Sequence, residues 1–347
     1  MATKFAQLKH RVGSAYANWS VTNRVDRLNT WINRRDASDD EHETYDHTET
    51  VNDYYDLCHE FMEYGWSDSL HFAPLTPGES LEEAIKRHQR LMIQKLQLQE
   101  GMRVVDVGCG VGGPMRRVIR EGKVTVVGVN NNEYQLAQAK NKNIEAGLDE
   151  QAAYVKCNFM DMSELEAESF DAGYAIESTC HAPDKLGAFK QIFRLLKPGA
   201  LLWGQEMCLT DAFDASSASH QLIKRQLMEG IALNEIASFD EVNRTIEAAG
   251  FEVLEASNLD VKEGPSVPWY SPMQSRYGTV GNFFRRTPLG RKLVLRTIQV
   301  AELMRIFPKQ SHNVIQFMDR TAAAYVDGGK TGLFTPLYCY LARKPSN

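Results

Sequence analysis

The chain has 347 residues, of which 43% are apolar, and a net charge of −6. That size and composition suit one large α/β domain with additions, or two smaller domains, and the excess of acid removes the electrostatic reason to expect nucleic acid as a partner. The six cysteines (Cys58, Cys109, Cys157, Cys180, Cys208 and Cys339) are scattered with no C-x-x-C pair, which argues against a zinc site or disulfide framework and for a reducing, intracellular setting.

No window approaches the roughly 18 apolar residues needed to span a bilayer. The first residues also lack the apolar stretch of a secretory signal. Charge splits the beginning of the chain sharply. Residues 1–35 carry seven Lys or Arg against the single acid Asp26, whereas residues 36–63 carry eleven acids and no Lys or Arg. Residues 1–50 therefore read as an arm and linker, with solvated faces or a basic contact to anionic lipid.

Residues 52–73 set Tyr54, Tyr55, Phe61, Tyr64, Trp66 and Phe72 among acids. Glu63-Tyr64-Gly65-Trp66 and His71-Phe72 lie around a glycine and two serines, which predicts a helix ending in a loop. Aromatic faces beside a carboxylate suit a cationic species, although such stripes also fill cores. Leu81 to Leu98 predicts an amphipathic helix. Val104 to Gly113, VVDVGCGVGG, follows. It starts as a buried parallel strand, places Asp106 at the strand's end, and then turns through Gly108, Cys109, Gly110, Gly112 and Gly113. Glycines so spaced let a backbone turn tightly and approach a ligand. The loop has no Lys-Ser/Thr pair, so it is not a triphosphate loop.

Strands are predicted at Lys123–Val129, Ala153–Lys156 and from Phe170. The last changes abruptly from apolar to Glu177-Ser178-Thr179-Cys180-His181. Ligands bind beyond the carboxyl ends of parallel strands, so Glu177 and His181 are placed in the cleft that the glycine loop opens. A helix at Lys185–Leu196 should end at Lys197-Pro198-Gly199, before a strand at Leu201–Trp203. Ser238 and Glu241 form a capping box ahead of a strand at Phe251–Leu254. A last strand is expected at Thr335–Ala342. Residues 264–330 interrupt this sheet with Pro268-Trp269-Tyr270, Phe283-Phe284-Arg285-Arg286 and a helix-like Leu289 to Phe307, a lid or surface helix. The domains expected are thus 1–50, 51–263 and 264–347.

The glycine segment is the signature of class I methyltransferases that use S-adenosylmethionine. From about Asn52 to Pro345 the chain resembles the sterol 24-C-methyltransferases, through EYGWSDSLHFAP (Glu63–Pro74), VVDVGCGVGGPMR (Val104–Arg116), VGVNNNEYQ (Val127–Gln135), YAIESTCHAPDK (Tyr174–Lys185), Pro268–Tyr270, RTPLGR (Arg286–Arg291) and FTPLYCYLARKP. The resemblance implies a Rossmann-like α/β class I sheet, mostly parallel with its last strand antiparallel. A helical segment would precede it and a cap would be inserted before the final strand. It implies methyl transfer from S-adenosylmethionine to carbon 24 of a Δ24 sterol, giving S-adenosylhomocysteine, with no metal. The alkene would attack the methyl, a cation would form at carbon 25, a hydride would shift and a base would remove a proton. A related methyltransferase acting on another terpenoid or small molecule is the alternative.

The resemblance further implies a cofactor set of Asp106, Gly108, Cys109, Gly110, Asn130, Asn131, Asn132, Gln135, Asn158, Phe159, Ile176 and Glu177. The asparagines stand where such enzymes usually place an acid for the ribose. Asn158 would bond the adenine and Phe159 would pack on it. Glu177, His181, Glu63 and Tyr64 are the catalytic candidates. The substrate would meet Tyr64, Trp66, His71, Phe72, Glu206, Trp269 and Tyr270. A homo-oligomer on a peripheral membrane surface is expected, at the endoplasmic reticulum in a eukaryote. One departure concerns strand five, where Gln205-Glu206-Met207 replaces the family's common Tyr-Glu-Trp.

Overall fold

The computed structural model describes residues 66–260, 266–274, 288–304 and 311–346. Seven strands form one sheet: β1 (Arg103–Val107), β2 (Thr125–Asn130), β3 (Ala152–Lys156), β4 (Phe170–Ile176), β5 (Leu196–Leu209), β6 (Glu252–Asn258) and β7 (Phe334–Arg343). Their order is β3-β2-β1-β4-β5-β7-β6. β1 to β5 pair in parallel, and β7 enters antiparallel between β5 and β6. The order reverses between β1 and β4, so their carboxyl ends flank a topological switch point, where ligands of such sheets bind.

Apolar residues alternate between two cores. Val104, Val126, Tyr174 and Trp203 pack with Met92 of α1 (Leu81–Lys95) and with Met115 and Val118 of α2 (Gly113–Gly122). Val105, Val127 and Leu202 pack with Phe189 and Ile192 of α4 (Lys185–Leu195) and with Val242 and Ile246 of α6 (Phe239–Ala248). Successive strand residues face opposite sides, so one β-branched run supplies both layers. α3 (Glu133–Glu145) follows β2.

Several boundaries differ from the sequence pattern. α1 ends at Lys95, where Leu96 caps it and Gln97 turns to φ +51°. β2 begins two residues late because Lys123, at φ +52°, still caps α2. β5 is far longer than Leu201–Trp203. It begins at Leu196, opposite Phe170, passes Pro198-Gly199 at a register shift where Gly199 and Ala200 bond to Lys344 just beyond β7, and from Leu201 onward has β4 and β7 as partners. β6 likewise extends to Asn258 along its partner β7.

The described residues divide into two units. The unit bearing the sheet takes in Asp68–Ala215, Glu235–Trp269 and Thr331–Asn347. The other holds α5 (Ala218–Ile231), α7 (Pro288–Leu303) and α8 (Ser311–Thr331). Neither α5 nor α8 was foreseen from the sequence. Within that unit Thr321 Oγ1 donates to the Gly230 carbonyl at 2.8 Å, and a Cβ at Gly230 would come within 3.0 Å of the Thr321 backbone, so α5 and α8 cross closely at a glycine.

Candidate active site

The glycine loop is built by contact as much as by conformational freedom. Gly108 (φ +85°) and Cys109 both donate backbone N–H groups to the Val129 carbonyl, at 2.9 and 3.0 Å, which ties the loop to the tip of β2. A Cβ on Gly108 would lie 2.3 Å from that of Ser178, so only glycine lets the loop meet the tip of β4. Gly110 (φ +53°) is different: a Cβ there meets nothing within 4 Å. Its backbone faces open space at the switch point, as a loop cradling a ligand must. The Cys109 side chain packs over Gly128, and burial pushes its thiol well above the ordinary range.

Asp106 is buried beneath this loop and accepts from the Tyr174 hydroxyl at 2.8 Å. Burial pushes its pKa up to about 7 against that hydrogen bond. Beyond β2, Asn132 caps α3 by accepting the Gln135 N–H at 2.9 Å. The Asn130 carboxamide donates to Gln135 Oε1 at 2.9 Å and accepts the Asn132 N–H at 3.1 Å. Asn131, between them, is half-buried. After β3, Asn158 Oδ1 accepts the Met160 N–H at 3.0 Å, and Phe159 packs against the edge of the core.

Ile176, half-buried, ends β4, and the next residue leaves the extended region. Glu177 has φ +50°, a conformation that costs a non-glycine residue about 1–2 kcal/mol. Its backbone N–H donates to the Gln205 carbonyl at 2.9 Å. Its Oε1 accepts from the Phe72 N–H and from Gln205 Nε2, each at 2.7 Å. Burial pushes the Glu177 pKa up to about 8, opposed by those two donors and reinforced by the charge of Glu206. No Lys or Arg pairs with Glu177 among the described residues. His181 is also buried, on the 3-10 turn Thr179–His181, but it is not a hydrogen-bond partner of Glu177.

The segment before α1 closes this site from within the same unit. The Phe72 carbonyl accepts from His71 Nδ1 at 2.8 Å and from Gln205 Nε2 at 3.2 Å. Gln89 Nε2 donates to His71 Nε2 at 2.9 Å, so His71 is neutral with its proton on Nδ1. Burial lowers its pKa to about 4, against the bond to Phe72. Phe72 meets Trp269 edge-on at 5.2 Å, and Trp269, only 1% exposed, packs against Phe334. These rings form a dry wall.

Glu206 lies elsewhere. Both its oxygens are engaged, by Lys185 Nζ at 2.8 Å and by the Thr179 hydroxyl, and it is fully buried on the α4 side of the sheet. Glu206 is one of the substrate contacts expected from the sequence, and its bonds to Lys185 and Thr179 brace the turn that carries His181. Trp66 and Tyr270 fall in the helical unit, and Glu63 and Tyr64 lie outside the described residues. Sequence reading missed His88 and Gln89. The signal was available, because both sit on the buried stripe of α1 with Ala84, Ile85 and Met92, where polar residues need partners.

Comparison with known proteins fits this geometry. Residues 36–276 match the family model of mycolic acid cyclopropane synthetase, and residues 282–346 match that of the sterol methyltransferase C-terminal region. Cycloartenol-C-24-methyltransferase of Arabidopsis thaliana is 44% identical over 309 residues, 89% of this chain and 91% of the relative. The sterol 24-C-methyltransferase ERG6 of Saccharomyces cerevisiae is 36% identical over 326 residues, 92% of this chain and 85% of the relative. The chain belongs to the sterol 24-C-methyltransferase family. This sterol methyltransferase shares its fold with the cyclopropane synthase MmaA2 of Mycobacterium tuberculosis, at a TM-score of 0.66 and 18% identity over 87% of this chain and 100% of that one.

Family membership implies S-adenosylmethionine, and the residues present fit it. Gly110 leaves open space above its backbone at the switch point. Asp106 and Glu177 are buried acids with neutral donors only, the kind of partner a cationic ligand would stabilise.

Proposed function

We propose that this chain transfers a methyl group from S-adenosylmethionine to carbon 24 of a Δ24 sterol side chain. The observation that carries the reading is Glu177, strained at the tip of β4, buried, and held by neutral donors beside the glycine loop. S-adenosylmethionine supplies an activated methyl group on a sulfonium cation. The chain's part is to bind, orient and keep dry. A cation near Glu177 favours its carboxylate form, which then offsets the positive charge that develops as an alkene becomes a carbocation. Phe72 and Trp269 exclude water and offer π faces to that charge. His181, whose neutral form both donates and accepts, serves as a polar anchor for the sterol or as a proton relay.

The purified protein, incubated with labelled S-adenosylmethionine and a panel of Δ24 sterols and non-sterol terpenoids, should give sterols one methylene heavier by mass spectrometry. Label appearing only in another terpenoid would overturn the sterol assignment. Gly110→Val should stay folded and lose binding of S-adenosylmethionine in calorimetric titration, since φ +53° strains a β-branched residue in the loop and its side chain would enter the open space above it. Near-normal binding would remove the cofactor from that loop.

The same reading places the enzyme on a membrane surface, where an apolar substrate resides. No described helix is long and apolar enough to cross a bilayer. Along α7, however, Leu289, Leu293, Val300 and Leu303, with Met304 just beyond it, are 54% to 85% exposed on one stripe. The exposed Lys292 and Arg296 lie beside them. Such a helix suits the interface of an anionic membrane, each basic residue adding about 1 kcal/mol. Salt should release the protein from anionic vesicles in flotation assays, and release by detergent alone would refute the electrostatic part.

A further inference from the structure

Gln205 is placed so that every polar atom of its carboxamide has work at the site. Its Nε2 lies within hydrogen-bond distance of three acceptors: Glu177 Oε1 at 2.7 Å, the Pro336 carbonyl at 2.9 Å and the Phe72 carbonyl at 3.2 Å. Three oxygens around one end fix the orientation of the amide, because turning it over would set oxygen against oxygen. Its Oε1 accordingly accepts from His88 Nε2 at 2.7 Å, so His88 carries its proton on Nε2. Gln205 is fully buried and sits in β5 opposite Ile176, immediately before Glu177. The backbone repeats the connection, since Glu177 N–H donates to Gln205 O.

Glu177 is therefore held asymmetrically. Oε1 receives two donors, while Oε2 receives none among the described residues. We propose that Gln205 is the positioning residue for Glu177: it commits Oε1 to the protein and leaves Oε2 as the oxygen that meets the cofactor's cation. The inference rests on the cofactor reading above and adds the residue that orients its acid. Gln205 touches neither cofactor nor reacting atoms in this account and acts through Glu177 alone. His88 holds Gln205 in turn from α1.

The surroundings set the sign of the effect. His71 faces the network as a neutral ring, and His88 is a donor to Gln205. The Cys180 and Cys339 thiols are buried and held well above their ordinary range, so they are neutral. Glu206, on the other side of the sheet, raises the pKa of Glu177. Hydrogen bonds from Phe72 and Gln205 are what lower it. Removing the Gln205 donor leaves the proton on Glu177 to a higher pH and so weakens its hold on a cation.

The test compares S-adenosylmethionine, a sulfonium cation, with S-adenosylhomocysteine, its neutral thioether. Affinities are measured by calorimetry from pH 6 to 10 in the wild type, Glu177→Gln and Gln205→Leu. The titrations of the ligands themselves are common to all three proteins. In the wild type the preference for the cation should grow with pH. In Gln205→Leu the preference should fall about tenfold at pH 7, with its midpoint moved up by about one unit, and it should return to the wild-type value at high pH. A merely structural loss would weaken both ligands and would not recover with pH. A Gln205→Leu curve that superimposes on the wild type overturns the proposal. Glu177→Gln with an unchanged preference and pH dependence instead overturns the assignment of Glu177 to the cation, which separates the two failures. If Gln205→Leu does not fold, the unbranched Gln205→Met, which also lacks the donor, serves: its midpoint should move upward too, and an unmoved midpoint counts against the proposal.

Discussion

Gln205 and Glu206 are neighbours on β5, yet they face opposite sides of the sheet and organise two different acid sites. On the α1 side, Glu177 is held by an amide and a backbone N–H, and burial pushes its pKa up to about 8. On the α4 side, Glu206 is buried with a cation of its own. Burial pulls the Lys185 pKa down, but the Glu206 charge and hydrogen bond, with Cys180 and Cys208 nearby, together outweigh it and the net shift is upward. Lys185 also donates to the Thr179 carbonyl at 3.0 Å, so the pair braces the turn bearing His181. A buried acid that brings its own cation is a structural element. A buried acid given only neutral donors is suited to a cation that arrives.

The largest effect is expected at the structural pair. Lys185→Met strands the Glu206 charge in the core and should cost about 3–5 kcal/mol in denaturant unfolding. Lys185→Met with Glu206→Leu should recover most of that loss, because two well-packed apolar residues can replace a buried pair at little cost. If the single variant unfolds like the wild type, Glu206 is not dependent on Lys185 and the distinction between the two acids fails.

The other half of the comparison predicts the opposite sign. Glu177→Gln should keep its fold and its affinity for S-adenosylhomocysteine, lose its pH-dependent preference for S-adenosylmethionine, and lose turnover by roughly a hundredfold or more, the scale of removing one preorganised charge. Its effect on stability follows from linkage. An acid whose folded pKa lies near 8, above its ordinary 4.5, holds its proton more tightly folded than unfolded. Its contribution is full below about pH 4.5 and is lost as pH rises through about 8. The wild type without ligand should therefore lose stability across that window by on the order of 1.4 kcal/mol per pH unit at most. Glu177→Gln should flatten this part of the profile and be the more stable protein at pH 9. Parallel profiles for the two proteins, measured in urea from pH 5 to 9, would show that Glu177 does not titrate as described.

The sheet was legible because its strands are short β-branched runs with clear turns, and the glycine loop marked the switch point. Legibility failed where long-range partners decide the outcome. Pro198-Gly199 reads as a turn, yet β5 runs through it because Leu196 pairs with β4 before it and Gly199 and Ala200 bond to the distant Lys344. α8 carries the pair Gly328-Gly329, which reads as a breaker, and packing of its buried residues holds it helical. The Asp- and Ser-rich run before α5 reads as a loop, although its last serine, Ser217, caps the helix. At the site, Glu177 and His181 could be placed from the change in character at the end of β4. The left-handed backbone of Glu177 and its bond to Gln205, 28 residues away in sequence, leave no local mark.

The smallest effect is expected at Asp106. It belongs with Glu177 rather than Glu206, since its hydrogen-bond partner is the neutral Tyr174 hydroxyl and its pKa is pushed up to about 7 by burial. Tyr174→Phe removes that donor and little else, because the ring can remain packed among Met92, Val104 and Trp203. The acid should then hold its proton to higher pH. A ligand that favours the carboxylate should bind about tenfold more weakly at pH 7, the scale of one hydrogen bond to a charged group. The loss should shrink as pH rises and Asp106 ionises despite its burial. Calorimetric titration with S-adenosylmethionine at pH 7 and pH 9 distinguishes this from simple damage to the core, which would weaken binding equally at both. Equal losses would place Asp106 with the structural acids and leave Glu177 as the acid on the α1 side whose charge awaits a ligand.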